Sequence, residues 1–291
     1  ESRRLMRDAP NPPQTIIIVG AGHAGGSVAA QLRQGGFEGR ICLIGEEPVV
    51  PYQRPPLSKA WLAGTSSLDH VILRPGEWYR ENDVDLRLDT RVVAIDRSAK
   101  TVTLGDGECL GYDALVLATG ARPRVLGVPG EDLSGVYSLR SLADAEALKT
   151  AMAPDKTIVL IGAGYIGLEV AASARKAGLK AIIVEREARS AARVASETMS
   201  AFLEKYHGDH GVDFIFKAAA KGFAGTGAVT AVELADGRVL PCDLVLVGAG
   251  VVPNDELARV AGLECGNGII VDAQARTSDP WPTLTFSQWR R

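Results

Sequence analysis

A glycine-rich turn occurs twice in this chain, as Gly20-Ala21-Gly22-His23-Ala24-Gly25 and as Gly162-Ala163-Gly164-Tyr165-Ile166-Gly167. Each follows an apolar, β-branched run of strand length, residues 15 to 19 and residues 157 to 161. Each leads into a helical pattern: residues 27 to 34, closed by Gly35-Gly36, and residues 165 to 177, closed by Gly178. Further short strands are expected at 40 to 44 and 180 to 184, running into Glu46 and Glu185. Strand, helix and strand in that order joins parallel strands, because the helix carries the chain back across the sheet.

The spacing of the glycines has a chemical reading. Gly20 and Gly162 permit the tight turn, Gly22 and Gly164 let a pyrophosphate approach the backbone, and Gly25 and Gly167 let helix and strand pack closely. The anion rests on the helix N-terminus, where free N–H groups and the helix dipole favour it. An acid at the end of the next strand takes ribose hydroxyls; Glu46 and Glu185 stand there. Such an acid repels a 2′-phosphate, so Glu185 favours NADH over NADPH. Arg186, next to it, reads as a solvated surface charge.

A second repeat accompanies the first. Leu104-Gly105-Asp106-Gly107, followed by Tyr112-Asp113-Ala114-Leu115-Val116-Leu117, matches Leu234-Ala235-Asp236-Gly237, followed by Cys242-Asp243-Leu244-Val245-Leu246-Val247. Asp-Gly between β-type runs is a hairpin signal. The expected fold is therefore α/β: two Rossmann-like three-layer dinucleotide-binding domains, the second inserted in the first, each with a small antiparallel meander. The boundaries expected are a mobile tail at 1–13, a first domain at 14–120 and 249–291, and a second at 121–248.

Composition narrows the class. The chain has 291 residues, 46% hydrophobic and 23% charged, with net charge −3, so no global charge argues for nucleic acid or an anionic membrane as partner. The basic start lacks the apolar stretch of a secretory signal. The apolar run from Thr157 to Leu168 is too short to span a bilayer. Cys42, Cys109, Cys242 and Cys265 form no CxxC or zinc spacing and read as reduced, mostly buried thiols, which with the missing signal points to the cytoplasm. His207 and His210, beside glycines, read as a solvated turn rather than a metal site. No metal is expected. Pro51-Tyr52-Gln53-Arg54-Pro55-Pro56-Leu57-Ser58-Lys59 is a stiff loop at the ligand end of the first sheet, with Lys59 opening a helix.

That proline-rich loop, the Leu117-Ala118-Thr119-Gly120-Ala121-Arg122-Pro123 stretch, and Ile161-Gly162-Ala163-Gly164-Tyr165-Ile166-Gly167-Leu168-Glu169 together resemble the FAD-dependent pyridine nucleotide oxidoreductases. Within them the chain is most similar to the ferredoxin reductases of bacterial oxygenase systems, from about Thr15 to Pro280. The resemblance implies an FAD domain, an inserted NAD domain and a C-terminal interface domain. It implies hydride transfer from NADH to the flavin and single-electron delivery to a [2Fe–2S] ferredoxin. It assigns Gly20, Gly22, His23, Ala24, Gly25, Glu46, Arg54, Lys59, Val92, Ala118, Thr119, Gly120 and Arg140 to FAD. It assigns Gly162, Gly164, Tyr165, Ile166, Gly167, Glu169, Glu185 and Gly250 to NADH. Lys59 and Glu169 would face each other beside the flavin as a catalytic pair removed from water.

The resemblance breaks after Thr277-Ser278-Asp279-Pro280. The family continues with a strand and a Gly-Asp pair; residues 281 to 291 hold no such pair. The expectation is a truncated or frameshifted reading frame that lacks the interface domain, loses that strand from the first sheet, holds FAD weakly and self-associates. Two other readings follow: a remnant that binds nucleotide without turnover, or a related flavin reductase with another acceptor.

Overall fold

The computed structural model describes residues 13–279 and the backbone of residues 283–285. The expected tail at 1–13 lies almost wholly outside them, as do Trp281 and Trp289. The chain divides into two compact units. Over the described residues, the first comprises 13–53, 68–122, 252–279 and 283–285; the second comprises residues 54–67 and 123–251.

The first unit is built on a five-stranded parallel sheet. Its order is Thr283–Thr285, Ala114–Leu117, Thr15–Val19, Arg40–Ile44, Val84–Arg87. Alternate residues of one strand point to opposite faces. Ile16 and Ile18 pack with Val28, Ala29 and Leu32 of the helix His23–Gln34, on one face. Ile17 and Val19 pack with Val92, Val102 and Leu104 of an antiparallel meander, on the other. The meander runs through Val92–Asp96, Thr101–Leu104 and Cys109–Gly111. Helix, sheet and meander make three layers. Each fully buried isoleucine contributes about 1.5–3 kcal/mol.

The second unit repeats the plan. Its parallel sheet runs Val212–Phe216, Lys180–Glu185, Thr157–Ile161, Leu244–Val247, Val136–Tyr137. Ile158 and Leu160 face the helix Tyr165–Lys176 through Val170, Ala171 and Ala174. Val159 and Ile161 face Phe223, Val229 and Val232 of the second meander. That meander runs through Ala220–Thr226, Ala228–Leu234 and Val239–Pro241. The repeat reaches individual bonds. Asp113 accepts from Thr15 N–H at 2.9 Å and Asp243 accepts from Thr157 N–H at 2.8 Å. Asp106 and Asp236 each accept from the amide two residues on, closing the two hairpins.

Four expectations are corrected. The first helix starts at His23, not Ser27, because Gly25 and Gly26 admit neighbouring atoms that a side chain would meet: Gly20 O and the Pro51 ring. The proline-rich segment from Arg54 to Ser67 belongs to the second unit, because Leu62 is buried in that unit's core. Lys59 ends a short 3-10 turn, Pro55–Ser58, instead of opening a helix. Thr283–Thr285 pairs with Ala114–Leu117, so the first sheet does not lack the strand that the divergent residues were expected to remove.

Among the described residues no helix is long and apolar enough to cross a membrane. All four cysteines are free thiols, but Cys42 and Cys242 alone are buried; Cys265 is half-buried and Cys109 exposed on its hairpin. His207 is no solvated turn residue. It is buried within the helix Glu197–Asp209, and His210 ends that helix with Nδ1 2.7 Å from Tyr206 O.

Candidate functional site

The two glycine turns have the same construction. Gly20 and Gly162 adopt φ of +111° and +112°, where a side chain is strained. A Cβ on Gly20 would strike Ala118 O, and one on Gly162 would lie 2.6 Å from Gly248 O. A Cβ on Gly25 would strike Gly20 O, and one on Gly167 would strike Gly162 O. The helix in each case therefore crosses its own turn at backbone distance.

Among the four described helices of ten or more residues, the two that follow these turns begin differently from the other two. Leu142–Ala151 is capped by Ser141 in a capping box, and Glu197–Asp209 by Ser196. The helices starting at His23 and Tyr165 have glycine N-caps, Gly22 and Gly164, with no side-chain cap and no acid in the first turn. Their N-terminal amides and dipoles are left for an external anion. The space where a Gly164 Cβ would stand is open to 4 Å. Residues and shape both fit a bound pyrophosphate. Tyr165 and Ile166 are exposed at the second helix start, and His23 at the first.

The acids behave differently in the two units. Glu185 Oε2 accepts from Ala163 N–H at 2.7 Å, inside the glycine turn, and Oε1 accepts from Glu187 N–H at 2.8 Å. Glu46 makes no such bond to its turn; it is an exposed acid with Arg91 Nε at 3.3 Å.

The other candidates in the first unit surround the end of the central strand. Ala118 N–H donates to Val19 O at 2.7 Å. Thr119 Oγ1 donates to Asn254 O at 2.6 Å, and Asn254 Nδ2 donates to Thr119 O at 2.9 Å. Asn254 N–H also donates to Gly120 O at 3.0 Å. Asn254 was missed by sequence reasoning; its role is visible only when two segments far apart in sequence meet. Val92, in the first strand of the meander, is buried in the core that the meander shares with Ile17 and Val19 of the sheet, so its side chain serves packing first.

In the second unit, Lys59 Nζ lies 2.9 Å from Glu169 Oε1, with the two side chains 51% and 29% exposed. The pair forms, but it is not removed from water as expected. Ser58 Oγ donates to Glu169 Oε2 at 2.6 Å, and Ser173 Oγ donates to Ser58 O at 3.1 Å. Ser58 and Ser173 were missed; the Ser-Lys dipeptide and the i,i+4 spacing of 169 and 173 were the available signals. A cleft of ≈ 310 Å³ beside the pair is lined by Lys59, Ala60, Ala63, Thr65, Glu169 and Ser173, among others. Arg54 Nη1 donates to Arg140 O at 2.6 Å, which joins these two candidates. Gly250, at φ +95°, accepts from Arg124 N–H at 3.0 Å. Among the described residues no group of three or more His, Cys, Asp or Glu is placed to hold a metal ion.

Comparison with known proteins bears on these sites. The family model described as "Pyridine nucleotide-disulphide oxidoreductase" matches residues 14–281. The chain is 47% identical over 271 residues to a probable ferredoxin reductase of Castellaniella defragrans, covering 93% of this chain and 66% of that protein. It is 44% identical over 277 residues to putidaredoxin reductase of Pseudomonas putida, covering 93% and 65%. A crystal structure of a covalent putidaredoxin reductase–putidaredoxin complex superposes with a TM-score of 0.91 at 42% identity, covering 94% of this chain and 66% of that one. The chain thus spans about two thirds of the length of these relatives.

Proposed function

Because the chain belongs to the pyridine nucleotide-disulphide oxidoreductase family, we propose that it serves as an NADH-dependent, FAD-containing ferredoxin reductase. The observation that carries this reading is the pair of uncapped glycine turns, each followed by a strand with an acid at its end, Glu185, or two residues past it, Glu46. One chain that holds two dinucleotides is equipped to exchange a hydride between them. The relatives named above are reductases of iron–sulfur proteins, which supports a [2Fe–2S] ferredoxin as electron acceptor.

FAD is assigned to the turn at Gly20, Gly22, His23, Ala24 and Gly25, with Glu46 on its ribose and Val92 and Ala118–Gly120 along it. NADH is assigned to the turn from Gly162 to Gly167, with Glu185 on its ribose, Tyr165 and Ile166 at the helix start, and Gly250 near the nicotinamide. Arg54, Lys59 and Arg140 are kept as flavin contacts. When bound, the flavin supplies the step from two-electron to one-electron chemistry, which belongs to the cofactor rather than the protein. The protein's part is orientation and charge. Glu169, fixed by Ser58, holds the Lys59 ammonium in place. The four free thiols fit a reduced compartment, and we place the protein in the cytoplasm.

The test is spectroscopic. The purified chain, supplied with FAD and freed of excess, is expected to show flavin bands that bleach on anaerobic addition of NADH. Absence of bound flavin, or bound flavin that NADH leaves oxidised, overturns the proposal.

A further inference from the structure

We propose that the outer edge of the second unit's sheet is a contact with a second copy of this chain, the strand Val212–Phe216 of one copy pairing antiparallel with the same strand of the other. The proposal rests on the fold of that unit and not on which dinucleotide it holds.

Val212–Phe216 is the last strand of its sheet and pairs only with Lys180–Glu185 among the described residues. The outward N–H and C=O groups of such a strand are a template for another strand, and proteins blunt it with charge, proline or a bulge. The matching edge of the first unit is blunted in this way. There Val84–Arg87 carries Asp85, paired with Arg40 at 2.9 Å, and Arg87, paired with Glu108 at 2.6 Å. Val212–Phe216 has no proline and an unbroken register, and its Phe214, Ile215 and Phe216 are all part-exposed. The two phenyl rings stack with centroids 5.4 Å apart.

The helix beside this edge is left open in the same direction. Glu197–Asp209 packs on Val212–Phe216, and Ser200, Leu203 and His207 form its core face. At about 100° per residue, Glu204 flanks that face on one side, and Met199, Phe202 and Tyr206 flank it on the other. Glu204 accepts from Ser190 N–H at 2.8 Å, and Ala191 N–H donates to Ala163 O of the glycine turn, so this flank looks toward the middle of the sheet. The opposite flank looks past the free edge. Phe202 and Tyr206, 61% and 52% exposed, stack there with centroids 6.1 Å apart.

Charge selects the occupant. Asp213 and Lys217, at the two ends of the strand, are exposed and enter no ion pair among the described residues. A two-fold axis through Ile215 sets Asp213 of each copy opposite Lys217 of the other, and Phe214 opposite Phe216. Opposite charges and aromatic rings facing across two strands are both favourable, and the symmetry forms each pair twice. The edge is thus complementary to itself. A helix about 20 Å long above a strand about 17 Å long offers less than the roughly 800 Å² per partner of a standard interface, so the dimer is weak and depends on concentration.

The experiment is sedimentation velocity of the full 291-residue chain at low salt, over about a hundredfold range of concentration, with the folding of each variant checked by circular dichroism. The wild-type chain is expected to pass from monomer to dimer as concentration rises. Phe202→Glu, on the exposed flank of the helix, is expected to weaken the dimer about tenfold or more. Asp213→Lys sets like charges opposite each other, as does Lys217→Asp, and each is expected to weaken it about tenfold or more. Asp213→Lys combined with Lys217→Asp restores opposite charges and is expected to return the dimer to near wild-type strength, which a contact elsewhere on the chain would not do. A chain that stays monomeric throughout leaves this edge to solvent or to a different protein and overturns the proposal. A dimer that the single charge variants leave unchanged, or that the double variant fails to restore, overturns it as well.

Discussion

Glu169 is held at both oxygens by one short turn: Lys59 Nζ stands 2.9 Å from Oε1, and Ser58 Oγ donates to Oε2 at 2.6 Å. The helix carrying Glu169 begins at Tyr165, so the carboxylate lies about one turn from the second glycine turn. A half-exposed ion pair contributes little to stability, at most about 1 kcal/mol. Its value lies in placing a positive charge. Glu169→Gln keeps a partner for Ser58 and removes the charge that fixes Lys59. The variant is expected to melt within a few degrees of wild type and to slow flavin reduction by NADH about tenfold or more, as read by stopped-flow absorbance. An unchanged rate would exclude the pair from the reaction.

Ser58→Ala acts on the same carboxylate through a different bond. It removes a short hydrogen bond to a partly buried charge, and the expected loss in chemical denaturation is about 1–2 kcal/mol. Ser58→Thr, which keeps the hydroxyl, is expected to recover most of it.

Arg97 and Asp279 form an ion pair of a different kind. Nε to Oδ2 is 2.7 Å, the Asp279 side chain is only 4% exposed, and Arg97 Nη1 also reaches Gly262 O at 3.1 Å. Withdrawing the cation leaves a buried carboxylate short of its charged partner. Arg97→Met is therefore expected to cost about 3 kcal/mol or more in urea unfolding. A loss below about 1 kcal/mol would mean that the pair is dispensable.

Stability is expected to fall on both sides of neutral pH. Burial, then the neighbouring charge of His210, lowers the His207 pKa below 6.5. The unfolded chain then binds a proton first as pH drops, so this contribution is lost below about 6.5. At the other end, burial pushes the Cys42 thiol up to about 12 and Cys242 up to about 11, from 9.0. Above pH 9 the unfolded chain releases protons that the folded chain keeps, and stability declines as pH rises. Melting temperatures from pH 5 to 10.5 should trace a dome, with the acid limb flattened by His207→Gln. At pH 8 a thiol reagent should label exposed Cys109 before either buried cysteine.

Much of this architecture was legible in local sequence. Strand, turn and helix repeat within about 25 residues of each glycine turn, and Asp106-Gly107 and Asp236-Gly237 announce the hairpins. What could not be read was decided by contacts distant along the chain. Arg54–Ser67 joins the second unit because Leu62 fits its core and Ser58 meets Glu169. Asn254 reaches Thr119 only after folding. The helix start at His23 defied propensity, since Gly25 and Gly26 weaken a helix locally while allowing the backbone crossing. His207 looked like a turn residue from its glycine neighbours, yet the helix continues past Gly208 and buries the ring.

The central claim is that each glycine turn holds its own dinucleotide. Gly25→Ala and Gly167→Ala each place a Cβ against a backbone carbonyl of one turn. FAD and NAD⁺ binding to both variants, measured by calorimetry on chains shown to be folded by circular dichroism, tests the claim most directly. Gly25→Ala should lose FAD and keep NAD⁺, and Gly167→Ala should lose NAD⁺ and keep FAD. If either variant loses both cofactors while folded, or loses neither, the two turns are not separate sites.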